Sequence, residues 1–192
     1  MRARRIGRVG SLPNANQWSD VTDPMSAHVL GPKDGKAGTL GSMGVRFMLA
    51  GGETGGGFAL VEHPIPARAL AAPLHRHSLE DEYSFVLEGR VAALLGDEVV
   101  YGEPGDLIFK PRGQWHTFWN DGDEPARILE MISPAGFERY FEEMVEFLHQ
   151  QTVAPEPSAL VAIAARYGLE VDRGSIPRLT QEYGLHFGPP AP

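Results

Sequence analysis

The 192-residue chain contains no cysteine. That excludes disulfides, thiolate metal sites and cysteine nucleophiles together, and a reducing cytoplasm is the expected compartment. Nor does it hold an uninterrupted apolar run of about 18 residues, so no transmembrane helix and no membrane partner are expected. Positive charge is scarce: 17 Lys and Arg stand against 25 Asp and Glu, a net charge of -8. Four of the basic residues, Arg2, Arg4, Arg5 and Arg8, fall in the first 24 positions, which leaves 13 basic against 23 acidic residues in 25–192. An acidic body repels a phosphate backbone, so nucleic acid is not an expected partner. The arginine-bearing start lacks the apolar stretch of a secretory signal, and none is expected. Glycine is plentiful, but no G-x-G-x-x-G or G-x-x-x-x-G-K-[ST] opens a helix, so the glycine-rich segments are turns and not phosphate cradles.

What is present is a globular composition, 42% hydrophobic and 22% charged, long enough for one good core. Residues 1–44, rich in Gly, Pro, Ser and Asp, are expected to form an N-terminal tail and loop, largely irregular. Residues 45–132 hold short apolar runs separated by turn residues such as Gly96-Asp97, Pro104-Gly105-Asp106 and Asp121-Gly122-Asp123. Many short strands at close spacing predict an antiparallel sandwich or barrel. After residue 133 the period changes. Phe137, Tyr140, Phe141, Met144, Val145 and Leu148 fall on one face of a helix, with Ser133-Pro134 as its expected start. A second helix is expected over about Ser158–Tyr167, ending at Gly168, and a shorter third around Arg178–Tyr183, ending at Gly184. Residues 133–192 are thus expected to be a helical extension covering one outer face of the barrel.

Chemistry concentrates in two stretches. His75 and His77 are one residue apart, so a strand aims both the same way. Glu82 follows, and His116 lies far downstream. Imidazole nitrogens and a carboxylate oxygen suit a divalent first-row transition metal. Glu80 and Asp81 are alternative carboxylates. His28, His63, His149 and His186 have no matching partners and are expected to be ordinary surface or core histidines. Alternation turns Arg76 away from the pair.

In full, the stretches are Pro73-Leu74-His75-Arg76-His77, four residues, Glu82, six residues, Gly89; then Gly105, five residues, Pro111, Arg112, Gly113, two residues, His116, three residues, Asn120. They resemble the two sequence motifs of the cupin superfamily. One departure is Ala69, where a glycine often opens the first motif. The segment from Ser133 through the helix ending at Tyr167-Gly168 resembles bacterial cupins described as similar to quercetin dioxygenases. The resemblance implies a mainly β fold, a double-stranded β-helix or jelly-roll barrel with C-terminal α-helices. It implies one metal held by His75, His77, Glu82 and His116, turns shaped by Gly89, Gly105, Pro111 and Gly113, a structural Asn120, and a homodimer.

Three neutral imidazoles and one carboxylate leave a divalent site at net +1, with two positions open if the ion is six-coordinate. The donor types do not choose among Fe, Mn, Ni, Co, Cu and Zn. Strand alternation puts Ser84 and Val86 on the face of Glu82, and Gln114 and Phe118 on that of His116, so these four are expected to line a small-molecule pocket. Tyr83, Phe85, Leu87, Trp115 and Trp119 then face outward, under helices or in a dimer contact. The leading expectation is a metal-dependent dioxygenase using dioxygen on a small aromatic or enol-type substrate, with Glu82 also accepting a substrate proton. The alternatives are a metal-dependent isomerase or lyase and a non-catalytic small-molecule binder.

Overall fold

The computed structural model describes residues 28–188. The arginine-bearing residues 1–24 therefore lie outside the described residues. Two antiparallel sheets face one another. The first runs in the order β1 (Ala37–Leu40), β2 (Met43–Leu49), β3 (Ala59–Ile65), β10 (Ala126–Ser133), β5 (Asp81–Glu88), β8 (Leu107–Lys110). The second runs β11 (Leu169–Asp172), β4 (Leu74–His77), β9 (His116–Asn120), β6 (Val91–Leu95), β7 (Glu98–Gly102). From β3 onward the chain crosses repeatedly between the sheets, giving a mainly β jelly-roll barrel with helices at its C-terminal end.

The two-residue period of each strand places its side chains. In β10, Ala126, Ile128, Glu130 and Ile132 are buried while their neighbours are less so. In β5 the inward positions are Glu82, Ser84 and Val86. Val45, Val61, Ile65, Val91, Ile108 and Ile128 fill the space between the sheets. Turns follow the motif residues. Gly89 has φ 73°, and a Cβ there would lie 2.7 Å from that of Ala126, so only glycine fits that corner without strain. Asn120 is fully committed to the loop beside it: its Nδ2 donates to the carbonyls of Ile65, Pro66 and Glu124, and its Oδ1 accepts from Gly122 N.

Several sequence expectations are corrected. The sheet begins at Ala37, inside the stretch expected to be loop. Ala37-Gly38-Thr39-Leu40 is too short and too weakly apolar to read as a strand, but it pairs with β2 in full register. Gly38 is needed because Val145 of the first helix lies on it: a Cβ there would come within 2.3 Å of Val145 Cγ1. Pro134 is not in a helix first turn; Ser133 ends β10 and α1 spans Glu138–His149. The proline that does sit at a helix start is Pro157, in α2 (Pro157–Arg166). β11, which the Tyr167-Gly168 helix end concealed, pairs with β4 across its whole length, so the strand carrying His75 and His77 is not an edge.

The helices divide their work. α3 (Ser175–Tyr183) covers an outer face, where Leu179 joins Leu70, Ala92, Leu94 and Trp119 in a second cluster. Tyr183 stacks on Trp119 with ring centroids 4.5 Å apart. α1 and α2 do not lie on that face. α1 packs on β1 and β3, α2 packs on β11, and both line one cavity; they are joined where Tyr167 Oη donates to Glu143 Oε2 at 2.8 Å and Arg166 pairs with Glu143.

Candidate metal centre

Cross-strand pairing assembles the cluster. His75 and His116 are directly opposed partners on β4 and β9, and their rings lie 4.3 Å apart. His77 follows on the same face of β4. Glu82 comes from the other sheet, on β5 between Ile132 and Lys110. The cluster thus bridges the two halves of the barrel. His75, His77, Glu82 and His116 are all buried, and one ligand atom from each lies within 4.8 Å of the others. Two donors bonded to one ion at about 2.1 Å can be at most about 4.2 Å apart, so the set closes on a cation with small adjustments.

Each imidazole is oriented from behind. Nδ1 of His75 is 2.7 Å from the Pro73 carbonyl, Nδ1 of His116 is 3.0 Å from the Gln114 carbonyl, and Nδ1 of His77 is 2.5 Å from Glu80 Oε1. All three partners are acceptors, so each Nδ1 carries the proton and each Nε2 presents a lone pair inward. Nε2 of His116 then faces Glu82 Oε2 at 3.2 Å, one acceptor against another. Nε2 of His77 lies 3.5 Å from Glu82 Oε1 and has no hydrogen-bond partner. Lone pairs converging on a buried point make this donor set a candidate cation site. Burial, reinforced by the neighbouring imidazoles, pushes the His75 value well below that of a free histidine, and burial lowers that of His116 too. Neutral imidazole is the form that binds a metal.

Glu82 has a second cation beside it. Lys110, fully buried, places Nζ 2.9 Å from Glu82 Oε2 and 2.9 Å from Glu130 Oε2, over the face of Phe118. Burial alone would raise the Glu82 carboxyl, but the Lys110 ammonium beside it holds it well below the usual range. Glu130 goes the other way: burial pushes it up to about 7, with Lys110 opposing. Its Oε2 also accepts from Ser84 Oγ at 2.7 Å, while Oε1 has no partner.

A cavity of about 290 Å³ opens beside the cluster. His75 and Glu82 sit on its wall with Phe118, and it extends past Phe137, Tyr140, Phe141 and Met144 of the α1 segment to Leu160 and Val161 of α2. Of the four side chains expected to line a pocket, Phe118 does so. Ser84 and Val86 point inward but are not on the cavity wall: Ser84 bonds Glu130 and Val86 belongs to the packed core. Gln114 acts through its backbone carbonyl on His116. Asp81 pairs outward with Arg112. Arg76 turns outward as alternation requires, pairing with Glu170 and lying over Trp115.

Five residues of this site escaped sequence reasoning. Glu80 orients His77, and Phe137 meets the His77 ring edge-on at 4.3 Å. His63, expected to be ordinary, lines the cavity. Lys110 and Glu130 carried a signal that strand phase reveals: each is a charge at the inward position of an otherwise apolar alternation.

The fold and the cluster together define a single-barrel protein with three imidazoles and a carboxylate gathered at the inner end of a cavity. Known proteins name that class. Residues 62–132 match the family described as cupin domain. The tetracenomycin polyketide synthase protein TcmJ of Streptomyces glaucescens is 37% identical over 60 residues, 31% of this chain and 40% of that protein. The chain therefore spans well under half the length of this curated relative. The polyketide cyclase RemF from Streptomyces resistomycificus superposes with a TM-score of 0.50 at 25% identity, over 56% of this chain and 80% of RemF. KdgF from Halomonas sp. gives 0.46 at 16% identity, over 51% of this chain and 84% of KdgF. Among the described residues no helix is long and apolar enough to cross a membrane.

Proposed function

We propose that this chain is a metal-dependent enzyme acting on a small aromatic or enolisable compound of polyketide type. The observation that carries this is the convergence of three inward Nε2 lone pairs and the Glu82 carboxylate at the end of an apolar cavity. The likeness to the polyketide synthase protein TcmJ and the polyketide cyclase RemF supports the substrate class. His75, His77 and His116 would hold the ion through Nε2, and Glu82 through its carboxylate. Bound there, a divalent ion supplies Lewis-acid polarisation of a carbonyl or enol.

The chain's own residues do the rest. Lys110 keeps Glu82 ionised and fixes its direction. Glu80 holds the His77 ring. Phe118, Phe137 and Phe141 exclude water and offer flat apolar walls to a ring system. A second reading, dioxygenase chemistry, is favoured by the donor set, since four protein ligands leave two sites free on a six-coordinate ion. We also propose a homodimer in the cytoplasm. Phe85, Leu107 and Phe109 are exposed on β5 and the edge strand β8, an apolar edge that a second copy would cover; sedimentation equilibrium should show a species of two 20.9 kDa chains.

The deciding experiment loads metal-free protein with each of Fe, Mn, Ni, Co, Cu and Zn and offers 1,3-diketones, linear polyketones and a flavonol. Anaerobic turnover supports the Lewis-acid reading, and oxygen uptake coupled to product supports the dioxygenase. A wild-type protein that binds no metal, or a His77→Ala variant with wild-type metal content, overturns the proposal. Glu82→Gln separates two roles: turnover falling further than metal occupancy marks a proton acceptor, and equal falls mark a ligand alone.

A further inference from the structure

The cavity wall is apolar except at a few points, and four of them, His63, Glu130, Tyr140 and Arg173, lie outside the ligand set. Arg173, in the turn between β11 and α3, lines the cavity, and its guanidinium has no hydrogen bond or ion pair. Most other arginines of the described chain are paired, Arg46 and Arg127 with Glu62, Arg68 with Asp123, Arg112 with Asp81. An unpaired guanidinium on an apolar wall is a planar fork of donors with no acceptor. Its charge reaches Tyr140 on the same wall, where it opposes the effect of burial on the phenol. A second such point is His63. Its Nδ1 lies 3.0 Å from the Gly44 carbonyl, which fixes the proton there and leaves Nε2 as an acceptor with no protein partner. The ring is held edge-on against Phe141 at 5.2 Å, so the acceptor is rigid.

Resting on the function proposed above, we infer that the cavity takes a hydroxyaryl carboxylic acid: Arg173 receives the carboxylate, the aromatic walls take the ring and His63 Nε2 accepts the hydroxyl proton in a hydrogen bond. The chemistry matches each wall group to one ligand group. A bidentate guanidinium–carboxylate pair is the strong form of this contact. A cavity of about 290 Å³ is at the lower end of small-molecule sites, roughly 300–1,000 Å³, which suits one or two fused rings. Arg173, Tyr140 and the α1 and α2 wall lie outside the cupin domain match at 62–132, so the carboxylate selectivity belongs to the extension, while His63 belongs to the shared barrel.

The test measures binding of 6-hydroxy-2-naphthoate, its methyl ester and 2-naphthoate to the full-length protein by calorimetry, both metal-loaded and after chelation. Chelation matters because a metal would also attract a carboxylate. In chelated wild type the hydroxy acid should bind about tenfold tighter than its ester. Arg173→Met should abolish that preference while leaving ester affinity unchanged, and Arg173→Lys should restore part of it. His63→Leu should erase the preference for 6-hydroxy-2-naphthoate over 2-naphthoate without affecting the acid-to-ester ratio. Equal binding of acid and ester, no binding of any of the three, or a ratio insensitive to Arg173→Met overturns the inference. If acid preference appears only with metal bound and survives Arg173→Met, the metal reads the carboxylate; this inference then fails and the function proposed above stands.

Discussion

Replacing Lys110 by methionine would strand the two carboxylates that its ammonium now joins at 2.9 Å each. Removing one partner from a buried ion pair costs about 3–5 kcal/mol, because the other charge stays behind without water. The lower end applies here. Glu130, whose carboxyl already sits at about 7, takes up a proton near neutral pH at little cost, so the uncompensated charge is that of Glu82 alone. About 3 kcal/mol of stability should therefore be lost at pH 7 in chelator. A divalent ion at the His75–His77–His116 cluster then becomes the only strong cation facing Glu82. Binding to the folded state alone stabilises by RT ln(1 + [L]/Kd), about 2.7 kcal/mol at roughly 100 times Kd. With Lys110 gone the ion also escapes its repulsion, so the metal should stabilise Lys110→Met by more than it stabilises wild type. Urea unfolding of both proteins, with chelator and with metal, reads all four quantities. A metal-free Lys110→Met within about 1 kcal/mol of wild type, or an equal metal increment in both, would show that the Lys110–Glu82 contact does not carry the charge balance assigned to it.

Glu80→Ala keeps all four donors but frees the His77 ring, and it should weaken metal binding by about 10- to 100-fold; competition with a chromogenic chelator measures this, and an unchanged Kd refutes an orienting role. His63 gives a pH signature. Burial pushes it from an ordinary 6.5 down to about 4. For a base depressed in the folded state, the stabilisation is complete above about 6.5 and is lost as pH falls toward 4, roughly 3 kcal/mol in all. Wild type should thus lose stability more steeply than His63→Leu between pH 6.5 and 4.5, and parallel curves would place His63 in a wetter setting than the structure does.

Most of the barrel was legible because strand patterning and turn residues agree. Val91–Leu95 and Glu98–Gly102 flank Gly96-Asp97, a tight hairpin by its residues alone. The four clustered side chains were legible for a different reason: one strand supplies His75 and His77, and alternation does not care what lies opposite. What pairing adds was not legible. Nothing local says that His75 faces His116, or that Leu169–Asp172 returns to flank β4. Glu80 was weighed only as a rival ligand to Glu82, since spacing separates ligands from non-ligands but does not show which carboxylate stands behind a ring. Lys110 and Glu130 were missed because each is a single charge in an apolar strand, which becomes meaningful only when two sheets close over both.

The extension changes what the barrel can recognise. Had α1 and α2 packed on an outer face, the cluster would open directly to solvent, and residues 62–132 would hold everything relevant to the ligand. Instead Phe137, Tyr140, Phe141 and Met144 stand over the mouth, tied down where Gly51 N and Gly136 N donate to Glu138. Phe137 touches the His77 ring directly. A relative that shares the barrel strands but not this segment shares the metal donors and not the walls. The donors set the kind of reaction available, and the walls set which molecule reaches them. That division explains why the match to the cupin domain family ends at residue 132, while the ligand inferred above also depends on Arg173 and the face of α1, which lie beyond it.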